Sequence, residues 1–169
     1  MEALAYNMSA LGGGSCEEEN RIRIREDRAI ARALKILERR AGGPKDVLGE
    51  VTESALFFQL RLAGEQREHF EVAFLNTQFQ LIAVERLFSG TIDAAEVHPR
   101  IVVQRALAHN ASVVLMSHNH PSGSLQPSAS DRVVTAQLKA ALDTVDVRLL
   151  DHFLVTSHEV VSMASQGMV

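Results

Sequence analysis

A chain of 169 residues with 46% hydrophobic and 22% charged side chains is long enough to bury one core and short for two. Its formal net charge of −4 excludes a domain that is basic all over and wraps nucleic acid, leaving room only for a local basic patch. No apolar run reaches membrane-spanning length, the start Met1-Glu2-Ala3-Leu4-Ala5-Tyr6 lacks the regions of a secretory signal, and the single cysteine, Cys16, cannot form an internal disulfide, so a cytoplasmic protein with no membrane partner is expected.

In chain order, residues 1–20 contain Gly12-Gly13-Gly14 and Glu17-Glu18-Glu19 without sustained periodicity, which predicts a flexible leader. Residues 21–43 read as a basic amphipathic helix, with Arg21, Arg23, Arg25, Arg28, Arg32 and Lys35 interleaved with Ile30, Ala33, Leu34 and Leu37. Glu26, Asp27 and Glu38 dilute that basic face. It reads first as a solvated surface and second as one for a partner or nucleic acid. Ala41-Gly42-Gly43-Pro44 closes the helix and opens the main domain, expected over residues 44–165 with a loose tail at 166–169.

Within that domain, Thr52 or Ser54 can cap a helix through Phe57 and Leu62 that Gly64 closes. Alternating Phe70, Val72 and Phe74, a turn around Asn76-Thr77-Gln78, and residues 80–87 predict a hairpin. Pro99 suits the first position of a helix over 101–109, with His98 as an unusual cap and Asn110 as its stop. A buried strand over 112–116 follows. Val134, Leu138, Ala141, Leu142 and Val145 then share one helical face, and residues 146–156 and 160–163 read as two closing strands. Helices alternating with hairpins predict α/β layers, a mixed, curved sheet with helices packed against it.

The chemistry concentrates in Ser117-His118-Asn119-His120-Pro121-Ser122-Gly123 and Pro127-Ser128-Ala129-Ser130-Asp131. On an extended segment, His118 and His120 point to the same side. Asp131, in the first turn of the next helix, can face back toward them. Two imidazoles and one carboxylate suit zinc and leave a fourth position open. Each part also has a plainer reading: Ser128-x-x-Asp131 is a capping box, and the two histidines alone are compatible with an ordinary loop.

The complete pattern His118-x-His120-x7-Ser128-x2-Asp131 resembles the JAMM (MPN+) metallohydrolases. The His-Asn-His-Pro-Ser-Gly run is similar to their RadC-like branch, as are Arg67-Glu68-x-Phe70, Leu87-Phe88-Ser89-Gly90-Thr91, Val97-His98-Pro99-Arg100, Ala106-Leu107-x-His109-Asn110-Ala111 and Leu150-Asp151-His152. The resemblance covers roughly residues 47–163. It implies a single JAMM-type domain of cytidine-deaminase-like fold, one Zn2+ per chain on His118, His120 and Asp131, and a protein or peptide substrate cleaved at a peptide or isopeptide bond. It also implies Glu68 as general base and proton shuttle, ahead of Glu71 and Glu85, and Ser128 as donor to the developing oxyanion. Without the family pattern Glu68 is a glutamate leading into a strand. Ser117 and His152 are candidates for supporting positions around the metal, His152 also reading as a buried hydrogen-bonded histidine. His69, His109 and His158 read as surface or turn residues. Asn119 departs from the serine or threonine of the deubiquitinating members, and no glycine-centred helix-hairpin-helix precedes the domain, as in short forms of the family. The family's historical name suggests a second class, an accessory protein of DNA repair or mobile elements acting through a partner or the basic helix. A nuclease using the same metal is a third reading. The oligomeric state is left open.

Overall fold

The structure, a computed structural model, describes residues 13–41, 47–90 and 97–169. The expected break at Gly42-Gly43-Pro44 falls outside them, as does Thr91 at the end of the Leu87-Phe88-Ser89-Gly90-Thr91 run. Helix α1 spans Gly13–Ala41 and α2 Val51–Leu62; strands β1, His69–Leu75, and β2, Leu81–Ser89, form the expected hairpin. Helix α3, Pro99–Ala108, leads to β3, Val113–Asn119; α4, Ala129–Asp143, connects to β4, Arg148–Val155, and β5, Val160–Ser162. The sheet order is β2-β1-β3-β4-β5, antiparallel except for the β3/β4 pair, which α4 joins as a crossover. This is the expected mixed α/β architecture.

Both faces of the sheet are covered. Phe70, Val72, Phe74, Val114 and Met116 pack with Val102 and Ala106 of α3 and with Leu138 and Leu142 of α4. Ala73, Leu75, Val113, Leu115, Phe153 and Val155 pack with Phe57, Phe58 and Leu62 of α2. Hence β1 and β3 are buried along their whole length, whereas sequence alternation gave β1 one apolar face only. Its apparent polar position, Glu71, is fully buried and ion-paired with Arg61 of α2 at 2.5 Å and Arg86 of β2 at 3.1 Å. Arg61 also reaches Glu38 at 2.8 Å, tying α1 to α2.

Several boundaries differ from expectation for local reasons. Residues 13–20, assigned to the leader, begin α1, because a run of good helix formers such as Glu17-Glu18-Glu19 extends a helix that follows it. Neither Thr52 nor Ser54 caps α2: Glu50 holds the cap position without a side-chain bond, and Ser54 is buried against the Leu48 carbonyl at 3.4 Å. His98 is the N-cap residue of α3 with no side-chain cap bond, Pro99 is the first helical residue, and Asn110 takes φ 51 just beyond the end. The tail is docked rather than loose. A short 3-10 helix, Ala164–Gln166, ends at Gly167 in the left-handed region, the Met168 amide bonds the Met163 carbonyl at 2.9 Å, and Val169 packs on the α3/α4 core.

His69 and His109 are not free surface groups. His69 is buried on β1 with Nδ1 2.8 Å from Ser89 Oγ, and His109 lies 2.7 Å from Glu85 with its ring on Phe74. His158 does sit in an exposed turn. Glu85 is held down at about 2 chiefly by Arg105, against burial, and with help from His109. No helix among the described residues is long and apolar enough to cross a membrane.

Replacing Arg61 with Met leaves the buried Glu71 carboxylate short of a partner and should lower the unfolding free energy by about 3 kcal/mol. Glu38→Gln, at the exposed end of the same network, should cost less than about 1 kcal/mol. Urea unfolding of both variants checks the ranking, and equal losses would contradict it.

Candidate metal centre

Three elements deliver the site. In the antiparallel β1/β3 pair, Phe70 lies opposite His118. Strand alternation puts Phe70, Met116 and His118 on the α4 face of the sheet, and Glu68, immediately ahead of β1, falls on that same side. The His120 amide bonds the Val155 carbonyl at 2.8 Å, so the segment beyond β3 stays held along β4. Ser128 then caps α4 and turns Asp131 back toward the histidines.

His118, His120 and Asp131 form a cluster that could hold a metal ion. Their donor atoms are close: the two Nε2 atoms are 3.0 Å apart, Asp131 Oδ1 is 3.2 Å from His118 Nε2, and Oδ2 is 3.5 Å from His120 Nε2. A tetrahedral ion with bonds of about 2.0–2.2 Å has ligand edges of about 3.3–3.6 Å, so these separations between the two imidazoles and the carboxylate lie near that spacing. Hydrogen bonds around the rings favour the same arrangement. His120 Nδ1–H donates to the Ser124 carbonyl at 2.9 Å, which leaves Nε2 as the lone-pair nitrogen.

For His118 the direction follows from a longer chain. Thr135 has one hydroxyl proton, and its Oγ1 lies 2.6 Å from the Asp131 carbonyl, which can only accept. Thr135 therefore donates there and accepts from His152 Nδ1–H at 2.6 Å. Burial pushes His152 well below its ordinary value, and nearby His118 adds to the effect, so His152 is neutral and its Nε2 is an acceptor. At 2.8 Å that acceptor faces His118 Nδ1, which must be the N–H. His118 Nε2 is thereby turned to the ligand position with its lone pair free. Phe70 walls off the two rings, stacked with His118 at 6.5 Å and edge-on to His152 at 5.5 Å.

The capping-box reading of Asp131 holds, and its geometry is compatible with the ligand reading as well. Its Oδ2 accepts from the Ser128 amide and from Ser128 Oγ, each at 2.7 Å, while Ser128 Oγ accepts from the Asp131 amide at 3.1 Å. Oδ1 is left facing His118. Burial opposes ionisation of this carboxyl, but the cationic forms of His118 and His120, which carry a proton on Nε2 as well, and the Ser128 hydroxyl donate to it, outweigh burial and hold the group well below the usual carboxylate range. His120 is raised in return, chiefly by Asp131 and against burial.

A cavity of about 420 Å³ opens over these groups, lined among others by Glu68, Phe70, Val97, His118, His120, Ser128, Asp131, Val134 and His152. The structure thus brings together six of the seven candidate residues. Ser117 is the exception: it alternates to the α2 side, where its hydroxyl is buried without a partner among the described residues. Glu71 and Glu85 are committed to ion pairs elsewhere. Sequence reasoning missed Thr135, although its position four residues after Asp131 puts both on one face of α4. It also missed that the Asn119 amide bonds the backbone around Glu68.

Most of the chain is similar to known proteins. A family model described as RadC-like JAB domain matches residues 49–168. The chain is 46% identical over 140 residues to "UPF0758 protein YeeS" of Escherichia coli (strain K12), covering 83% of this chain and 95% of that protein. It is 48% identical over 124 residues to a UPF0758 protein of Xanthomonas campestris pv. campestris (strain 8004), covering 73% of this chain and 55% of the relative. Identity to a UPF0758 protein of Polaromonas sp. (strain JS666) is 50% over 129 residues, covering 71% and 58%. The match is nearly full length in the first case and spans little more than half of the other two.

Two outcomes follow from the hydrogen-bond chain and the coupled charges. His152→Gln should weaken zinc affinity by about 10–100-fold, read by competition with a chromophoric chelator; unchanged affinity would mean that His118 is oriented without it. Because His120 must be neutral to bind metal and Asp131 raises it, zinc uptake should weaken as pH falls, starting above the ordinary histidine value of 6.5. A fall that begins only below 6.5 would contradict this coupling.

Proposed function

The chain belongs to the RadC-like JAB domain family, and from that premise we propose that it is a zinc-dependent metallohydrolase of the JAMM type, cleaving a peptide or isopeptide bond in a protein or peptide substrate. The observation that carries the reading is the convergence on one cavity of His118, His120 and Asp131 with Glu68 and Ser128. Residues that serve only to cap a helix and end a strand have no reason to meet a free carboxylate there.

His118 Nε2, His120 Nε2 and Asp131 Oδ1 would hold the ion. Zinc, when bound, polarises a carbonyl as a Lewis acid and lowers the pKa of a water from about 15.7 toward 7. Glu68 takes the proton that the attacking water loses and delivers it to the leaving amine nitrogen, so the carboxylate ends the cycle as it began. Ser128 Oγ spends its proton on Asp131 Oδ2 in this structure. Turned toward the substrate, it donates to the developing oxyanion, while its own amide keeps the bond to Asp131. Phe70, Val97 and Val134 supply an apolar wall, and Ser122, Ser124 and Ser130 a neutral polar one.

No Lys or Arg is among the described residues that line the cavity. A phosphodiester substrate would bring negative charge to Glu68 and Asp131 without a compensating side chain, so the lining favours an uncharged amide over a nuclease reaction.

A second reading rests on α1. Arg21, Arg23, Arg25, Arg28 and Arg32 are exposed along it, which suits partner or nucleic-acid binding in DNA repair or mobile-element biology. With a panel of peptides and isopeptide-linked conjugates, Glu68→Gln should lower kcat by about 100-fold or more while one zinc per chain is kept. Replacing Arg28, Arg32 and Lys35 with Gln should leave turnover unchanged. Equal turnover by Glu68→Gln would remove the hydrolytic assignment, and loss of nucleic-acid binding only in the helix variant would favour the second reading.

A further inference from the structure

Asn119 stands between the two ligand histidines, yet its side chain points to the other face of the sheet. It is 2% exposed and its amide is fully engaged. Oδ1 accepts from the His69 amide at 2.8 Å; Nδ2 donates to the Arg67 carbonyl at 2.8 Å and reaches the Glu65 carbonyl at 3.4 Å. These groups flank Glu68. The backbone ladder between β1 and β3 ends at Phe70 opposite His118, so it does not itself extend to Glu68. The Asn119 amide carries the pairing onward in its place, offering one donor and one acceptor as a peptide group does. From the other side, the Glu68 carbonyl accepts from the Gly90 amide at 2.9 Å.

We propose that Asn119 is a positioning residue for Glu68, clamping the backbone on both sides of that carboxylate so that it and the two ligand histidines move as one unit. The proposal rests on the hydrolytic reading, because it is there that Glu68 has a role at the metal. It accounts for the residue type at this position. Aspartate keeps the acceptor for His69 but loses the donor for Arg67, and a serine hydroxyl is too short to span both groups. Neither change touches a ligand atom.

The test needs no substrate. The full chain is loaded with cobalt(II), and the pH midpoint of its visible spectrum, which reports ionisation beside the metal, is compared for wild type, Glu68→Gln, Asn119→Ser and the double variant. Glu68→Gln should shift the midpoint by about 1 unit through loss of a nearby charge. Asn119→Ser should shift it in the same direction by about half as much or more, and add nothing in the Glu68→Gln background. Hydrogen exchange at the His69 amide should accelerate at least about 10-fold in Asn119→Ser, while Val72 in the middle of β1 stays protected. A wild-type midpoint in Asn119→Ser beside a shifted Glu68→Gln overturns the proposal alone. An unshifted Glu68→Gln removes the role of Glu68 and the proposal with it. Should Asn119→Ser fail to fold, Asn119→Asp replaces it at nearly the same volume. Loss of cobalt binding from a folded variant would show that Asn119 serves the histidines instead, which also overturns the proposal.

Discussion

The antiparallel pairing of β1 with β3 is the constraint on which the site depends. Its register sets Phe70 opposite His118 and brings a glutamate from just before one strand to the histidines at the end of another. A one-residue slip would turn every side chain of β1 to the other face, sending Glu68 and Phe70 away from His118, His120 and Asp131 and Glu71 toward them. Burial of both faces makes such a slip costly. Phe70, Val72 and Phe74 would trade places with Glu71, Ala73 and Leu75, and Glu71 would leave Arg61 and Arg86.

The second constraint is the full burial of the polar side chains behind His118. His152 and Thr135 are fully buried, and among the described residues their side-chain polar atoms are satisfied by the chain from the Asp131 carbonyl through Thr135 and His152 to His118, with Met163 Sδ a longer contact of the Thr135 hydroxyl at 3.9 Å. That chain begins at Asp131 and ends at His118, two members of the cluster that could hold a metal ion. One helix turn therefore positions Asp131 through the capping box and orients His118 through Thr135. A change at one ligand is transmitted to the other through bonds that cannot be made to solvent instead.

Much of this was legible in the sequence. The His-x-His spacing, the Ser128-x-x-Asp131 cap and the Pro99 helix start are local patterns, and local geometry fixes their outcome. Glu68 was legible only through family resemblance, because nothing in its neighbours distinguishes it from a glutamate ahead of any strand. What was not legible came from pairing distant segments. Glu71 and Glu85 look like solvent-facing strand residues until α2 and α3 bring Arg61 and Arg105 to them. Ser117 looked like a supporting residue because it resembles the small hydroxyl residue ahead of such motifs, but a strand neighbour of His118 lies on the opposite face. The docked tail depends on Met163 and Val169 meeting cores formed elsewhere in the chain.

Because the hydrolytic account stands on one metal held by three named donors, metal content tests it most directly. Protein purified without added metal or a histidine tag should carry about one zinc per chain, and His118→Ala and Asp131→Ala should lose it while remaining folded. A folded wild-type chain that contains no zinc and takes up none on titration would contradict the account, leaving Ser128 and Asp131 as a helix cap.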